Sequence, residues 1–158
     1  MGIWDSLLSS TAKAAAASSR LGTLGDISFR VSGYNDIFTY DNYSRNAEVR
    51  TASHEIIGEK AVTEYLGPGL QGISFTIKLN AQWGVNPLTE IERLIDYCES
   101  GTVLTFTMGG KRVGRYKWLI ESVESSAKYY DNMGNILSAD AAVKLKEYVP
   151  PALMGGSS

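Results

Sequence analysis

The chain of 158 residues carries 15 Lys and Arg against 17 Asp and Glu, a formal charge of −2, so net charge does not draw it to nucleic acid or anionic lipid. Its length and apolar fraction of 44% provide for one sizeable core, hence a single domain. The lone cysteine, Cys98, excludes an internal disulfide and points to a reducing cytoplasm during folding, and no stretch approaches the roughly twenty apolar residues that span a bilayer.

In the opening segment Ile3, Trp4, Leu7, Leu8, Thr11, Ala15 and Ser18 recur at helical spacing, and alanines 14 to 17 favour a helix. The segment carries Asp5 and no early Lys or Arg, so it is read as part of the mature protein rather than as a secretion signal. An amphipathic leader helix over residues 1–23 is expected, appended to the core. Such an arm either frays in water or docks on a partner.

From Asp26 the pattern turns to strands. Ile27 to Val31 alternates, Ile37 to Tyr43 is β-branched and aromatic, and residues 46–57 and 61–66 flank Gly58 as two further strands. After Gly72 every odd position to Trp83 is apolar and every even one polar, which predicts one long strand over residues 71–83 with a single buried face. Asn86 as cap, Pro87 at the first position and the stripe Leu88, Ile91, Leu94, Ile95 and Cys98 predict a helix that Gly101 stops. Leu104, Phe106 and Met108 lead to a Gly109-Gly110 hairpin. The stretch 115–130 is a long strand whose apolar register changes side near Ser122, the mark of a bulge. Residues 131–135 turn the chain into a last strand, 136–149, with Val143 and Leu145 inward and Lys144 and Lys146 outward, and residues 150–158 are a flexible tail.

The usual chemistries find no foothold. Gly67, Gly69 and Gly72 have the G-x-G-x-x-G spacing of a dinucleotide site, but a strand follows where that site needs a helix N-terminus; Gly-Pro-Gly reads as a turn. His54 is the sole histidine and lacks a second ligand for zinc, while Cys98 lies on the apolar stripe of the helix as a small core residue. Lys111, Arg112 and Arg115 cluster after the hairpin, where they either keep the tip in water or touch phosphate. No enzyme, metal or cofactor is expected. Long, half-polar strands outnumber what one short helix covers, and pairing with identical neighbours in a closed ring is one stable way to satisfy their edges.

Several segments together resemble a known family: Leu24 to Phe29; Glu64 to Leu70 with Ile73-Ser74-Phe75; Gly84-Val85-Asn86-Pro87 with Glu92-Arg93-Leu94; Glu99-Ser100-Gly101; and Trp118 to Val123 with Leu145 to Tyr148. In this order they are similar to the tail protein U family of contractile-tailed phages and phage-tail-like bacteriocins. The resemblance covers about residues 24–149. It implies an α+β, mainly β, tail-tube-like fold of orthogonal sheets in a sandwich or barrel, with one flanking helix. It also implies a hexameric ring around a lumen at the junction of tail tube and baseplate hub, assembled in the bacterial cytoplasm. In tail-like bacteriocins the part is called a ripcord, beside a LysM-containing baseplate protein, the hub proteins and the tape-measure protein. DNA would meet such a ring only by passing through its lumen, and no membrane is implied.

The leader departs from the family pattern. Ile3, Trp4, Leu7 and Leu8 are expected to dock on an adjacent ring or hub protein. The polar face Ser74, Thr76, Lys78, Asn80 and Gln82 is a candidate lumen lining, or else an outer solvent face. A tail terminator or tube subunit shares the implied fold, and a small nucleic-acid-binding β-barrel using the basic hairpin is the rival from another class.

Overall fold

In a computed structural model the described residues are 20–30 and 39–151. They form a mainly β domain with one α-helix. Eleven strands run β1 (Arg20–Leu24), β2 (Ile27–Arg30), β3 (Thr39–Asn46), β4 (Val49–His54), β5 (Val62–Pro68), β6 (Gly72–Asn80), β7 (Val103–Leu104), β8 (Phe106–Met108), β9 (Lys111–Arg112), β10 (Lys117–Tyr130) and β11 (Ile136–Tyr148). Helix α1 spans Pro87–Glu99. The large sheet has the order β3-β6-β11-β10-β7, the small one β2-β1-β8-β9, and among the described residues β4 pairs only with β5.

Strand β11 is the spine of the large sheet. It pairs with β6 from Ser138 to Lys146 and with β10 on its other side, and its inward residues Ala139, Ala141, Val143 and Leu145 are fully buried. Small residues at 139 and 141 let the covering helix and sheet approach, and the outward Lys144 and Lys146 stay in water. Strand β6 alternates by the same rule, whereas β10 buries only Trp118 and Ile120, before its register slips.

Aromatic rings join the two sheets. Phe75 of β6 stacks on Phe106 of β8 at 5.5 Å with the rings 2° from parallel, and meets Phe29 of β2 edge-on at 5.9 Å. Tyr40 of β3 packs edge-on against Phe29 at 5.3 Å. Such pairs add about 0.5–1.5 kcal/mol each beyond the area they bury. Burial raises the Tyr40 pKa, and the nearby Tyr43 adds to the shift.

The chain changes sheets at Thr105. Leu104 pairs with Trp118 in the large sheet, whereas Phe106 pairs with Leu24 in the small one, so the apparent run Leu104, Phe106, Met108 is two strands. The Thr105 carbonyl accepts from the Gly25 N–H at 2.9 Å, which keeps this corner satisfied. Beyond it, Gly109-Gly110 turns β8 into β9 as the sequence predicts.

Helix α1 begins and ends on signals visible in the sequence. The Asn86 side chain accepts from the N–H groups of Leu88 and Thr89, and Pro87 occupies the first turn. At the other end the Gly101 N–H reaches the Cys98 carbonyl and the Thr102 N–H the Tyr97 carbonyl, a Schellman ending. Ile91 and Leu94 are buried, and the helix packs on β10 and β11. Leu88 departs from the predicted stripe: it is 52% exposed, while Pro87 takes the buried place in the first turn.

The predicted strand 71–83 ends early. Asn80 turns its side-chain oxygen onto the Gln82 N–H at 2.9 Å, Ala81–Trp83 form a 3-10 turn, and Gly84 closes it in the left-handed region. Period-two spacing of Ala81 and Trp83 imitates a strand that the cap has already stopped. The bulge expected near Ser122 is present, since the register with β11 slips between Ile120 and Ser122.

The Gly67-Gly69-Gly72 spacing serves chain packing. A Cβ on Gly69 would lie 2.9 Å from the Glu48 carbonyl oxygen and one on Gly72 2.5 Å from the Asn46 side chain. No helix follows, and the Gly69 N–H already donates to Glu48 O at 2.8 Å.

Trp118 is the largest fully buried side chain, and its indole N–H donates to the Val113 carbonyl at 2.8 Å. Trp118→Phe leaves that carbonyl unpaired and a void beside the corner. Urea unfolding should show a loss of about 2 kcal/mol or more, against no more than about 0.5 kcal/mol for the exposed neighbour change Lys117→Ala; equal effects would contradict this account of the core.

Candidate assembly surfaces

The large sheet buries one face under α1 and the small sheet and presents the other as a polar platform. Register aligns Ser44, Ser74, Lys144 and Ser122 in one row across four strands, and Asp41, Thr76, Ala142 and Glu124 in the next. A third row carries Lys78, Asp140 and Ser126. Within the platform the Ser44 and Ser74 hydroxyls are 2.9 Å apart, Lys78 holds Asp41 at 2.9 Å and Lys128 holds Asp140 at 2.6 Å. Lys144 and Glu124 of the same rows form no ion pair among the described residues.

Of the residues the sequence marks as a polar face, Ser74, Thr76, Lys78 and Asn80 lie on β6. Gln82 does not lie on that strand. It sits in the 3-10 turn that Asn80 initiates, so the alternation carries no facing information there. Ile3, Trp4, Leu7 and Leu8 lie outside the described residues.

Two edges of the large sheet differ from one another. At one side β3 pairs, among the described residues, only with β6. At the other, β7 covers only Trp118 and Leu119 of β10, so the outer edge of β10 from Ser122 to Tyr130 has no strand beside it among the described residues. Tyr129 and Tyr130 near its end are largely exposed.

The β4–β5 hairpin is the third exposed feature. It makes a two-stranded sheet of its own, and Val49, Ile56, Ile57, Val62, Tyr65 and Leu66 are all more than four-tenths exposed. His54 lies on it, 2.7 Å from the Glu64 carboxylate and in water. Among the described residues no group of three or more His, Cys, Asp or Glu gathers as a metal site would require, and no helix is long and apolar enough to cross a membrane.

The family model described as Phage P2 GpU matches residues 25–150. The chain belongs to the Phage P2 GpU family. No curated protein matches it. Membership makes this GpU-family chain a structural protein of a phage tail, located in the tail of the virion and assembled with other tail proteins.

For a GpU-family protein the surfaces that matter are therefore edges and faces, and two of them escape the sequence reading. Strands on either side of Gly58 are evident, but not that they leave both main sheets, because pairing partners leave no local signature. The convergence of Arg50 and Arg115 on one groove, described below, joins positions far apart in the chain.

The platform pairs also give the tail protein a pH signature. The Lys78 ammonium, with help from the Asn42 N–H, lowers the Asp41 pKa below its ordinary 3.8. Because the folded-state pKa is depressed, this pair's contribution to stability is present above the ordinary aspartate pKa and is lost as pH falls through the depressed value. In Lys78→Met the Asp41 titration followed by carboxyl NMR should move up toward 3.8, the value free of these partners; an unmoved titration would mean that Lys78 does not set it.

Proposed function

We propose that this protein is a ring-forming subunit at the junction of tail tube and baseplate hub, the ripcord or tube-initiator position, with six copies around a lumen. The observation that carries the reading is the pair of unlike open edges on one sheet. A contact between β3 of one copy and the outer edge of β10 on the next is head-to-tail, and head-to-tail contacts close into a ring when the rotation per copy allows. Closure completes the backbone hydrogen bonds of both edges and stops growth.

In this arrangement the tail-tube-like body begins with β1 at Arg20, which lies between β2 and β8, and runs to residue 149; residues 1–19 are the arm and residues 150–158 the tail. The polar platform of Ser74, Thr76 and Lys78 faces the lumen, where paired charges and hydroxyls let the tape measure or DNA pass without sticking. Ile3, Trp4, Leu7 and Leu8 dock on an adjacent ring or on the hub and LysM-containing proteins. Assembly takes place in the cytoplasm of the host bacterium.

Negative-stain imaging of the purified full chain and of tails, with a mass measurement on the chain, tests the reading. The expected result is rings of a fixed copy number and no salt-sensitive DNA binding. A solitary copy in the tail would refute the ring, and tight binding to labelled DNA that weakens steeply with salt would favour the nucleic-acid-binding barrel through Lys111, Arg112 and Arg115.

A further inference from the structure

The β4–β5 hairpin bears two surfaces that fit each other but cannot meet within one chain. Its tip, Glu55-Ile56-Ile57-Gly58-Glu59, presents an isoleucine pair between two glutamates, and Ile57 is completely exposed. At its base is a groove of about 640 Å³ whose walls are Pro68, Leu70, Tyr116 and Val149, with Arg50 and Arg115 beside them. Glu147 also lines it but is buried, with its carboxylate accepting the Gln71 N–H at 3.1 Å. Neither arginine has an ion-pair partner among the described residues. Arg115 lies over the Tyr116 ring, 5.8 Å from its centroid.

We propose that the tip of one copy seats in the groove at the hairpin base of the next copy, with Ile56 and Ile57 on the apolar walls and Glu55 and Glu59 toward Arg50 and Arg115. A second copy is the occupant for two reasons. The charges are complementary, acid-apolar-acid against a groove with two unpaired arginines. The reach is the other: Arg50 and Ile57 are separated along an extended strand by on the order of 20 Å, so a hairpin cannot insert its tip into its own base. Tip and groove are different surfaces, so the contact is head-to-tail, as the ring reading on which this inference rests requires.

The contact also accounts for the hairpin. A two-stranded ribbon standing by itself is marginal in water, and this one shows apolar side chains on it. Seating a tip against Arg50 and Pro68 braces the base of the receiving hairpin, which holds its own tip ready for the following copy. Each addition thus favours the next.

Ile57→Cys with Leu70→Cys, made in the full chain with Cys98→Ser, tests the geometry. Every copy then carries one tip thiol and one groove thiol. Oxidation should give a ladder of disulfide-linked dimers, trimers and larger species; dimers alone, or no linkage, overturn the proposal. Arg115→Glu should weaken self-association and Glu59→Arg in the same chain should restore it, while Ile57→Asp weakens it roughly tenfold or more; these exposed positions keep the test open if the cysteine pair fails to fold. Wild-type rings without the ladder defeat only this contact, whereas a solitary wild-type copy in assembled tails defeats the ring reading itself.

Discussion

A long strand whose backbone outruns its own sheet is the constraint on which the rest depends. Strand β10 is covered by β7 at Trp118 and Leu119 and then continues to Tyr130 with, among the described residues, β11 on one side only. Each second N–H and C=O on the other side is a bonding group that folding of one chain leaves to water or to a neighbour. Nature usually blunts such an edge with brevity, proline or a covering element. Here the exposed stretch is long, carries hydroxyls and tyrosines, and keeps its outward lysine paired to Asp140. An edge kept in this condition suits a structural protein of a phage tail, which assembles with other tail proteins.

The core fixes the start of β10, where Trp118 and Ile120 are buried. Phe29, Phe75 and Phe106 hold the small sheet against the large one, α1 covers β10 and β11 through Ile91 and Leu94, and Trp118 anchors the start of β10 where the chain has just changed sheets. All of these sit on one side. The other side keeps a face of serines, threonine and charges, with Lys78 on Asp41 and Lys128 on Asp140, so the sheet is a wall with one dry and one wet surface. The bulge at Ile120 to Ser122 increases local twist as β10 leaves the core.

Much of this was legible in the sequence because its signals were local. Asn86-Pro87 and Gly101 bound the helix, the glycine pair at 109–110 marks a hairpin, Lys144 and Lys146 alternate with buried neighbours, and the switch of apolar side near Ser122 marks the bulge. Non-local features were not legible. Residues 20–23, which the sequence pattern assigns to the leader helix, are instead strand β1, because Arg20 to Leu24 lies between β2 and β8 and bonds to both. The sheet change at Thr105 is hidden because one unbroken alternation serves two sheets. Trp83 and Gln82 extend a periodicity that the side chain of Asn80 has already ended. Independence of the β4–β5 hairpin, and the groove where Arg50 meets Arg115, depend on which segments are brought together, and spacing along the chain is silent on that.

Hydrogen exchange along β10 tests the central claim most directly. In the dissociated chain, amides of β10 beyond Ser122 that point away from β11 should exchange quickly while those bonded to β11 are protected; in the assembled tail both sets should be slow. Equal protection in the dissociated chain, or fast exchange of the outward set inside the tail, would contradict an edge completed by a sister copy.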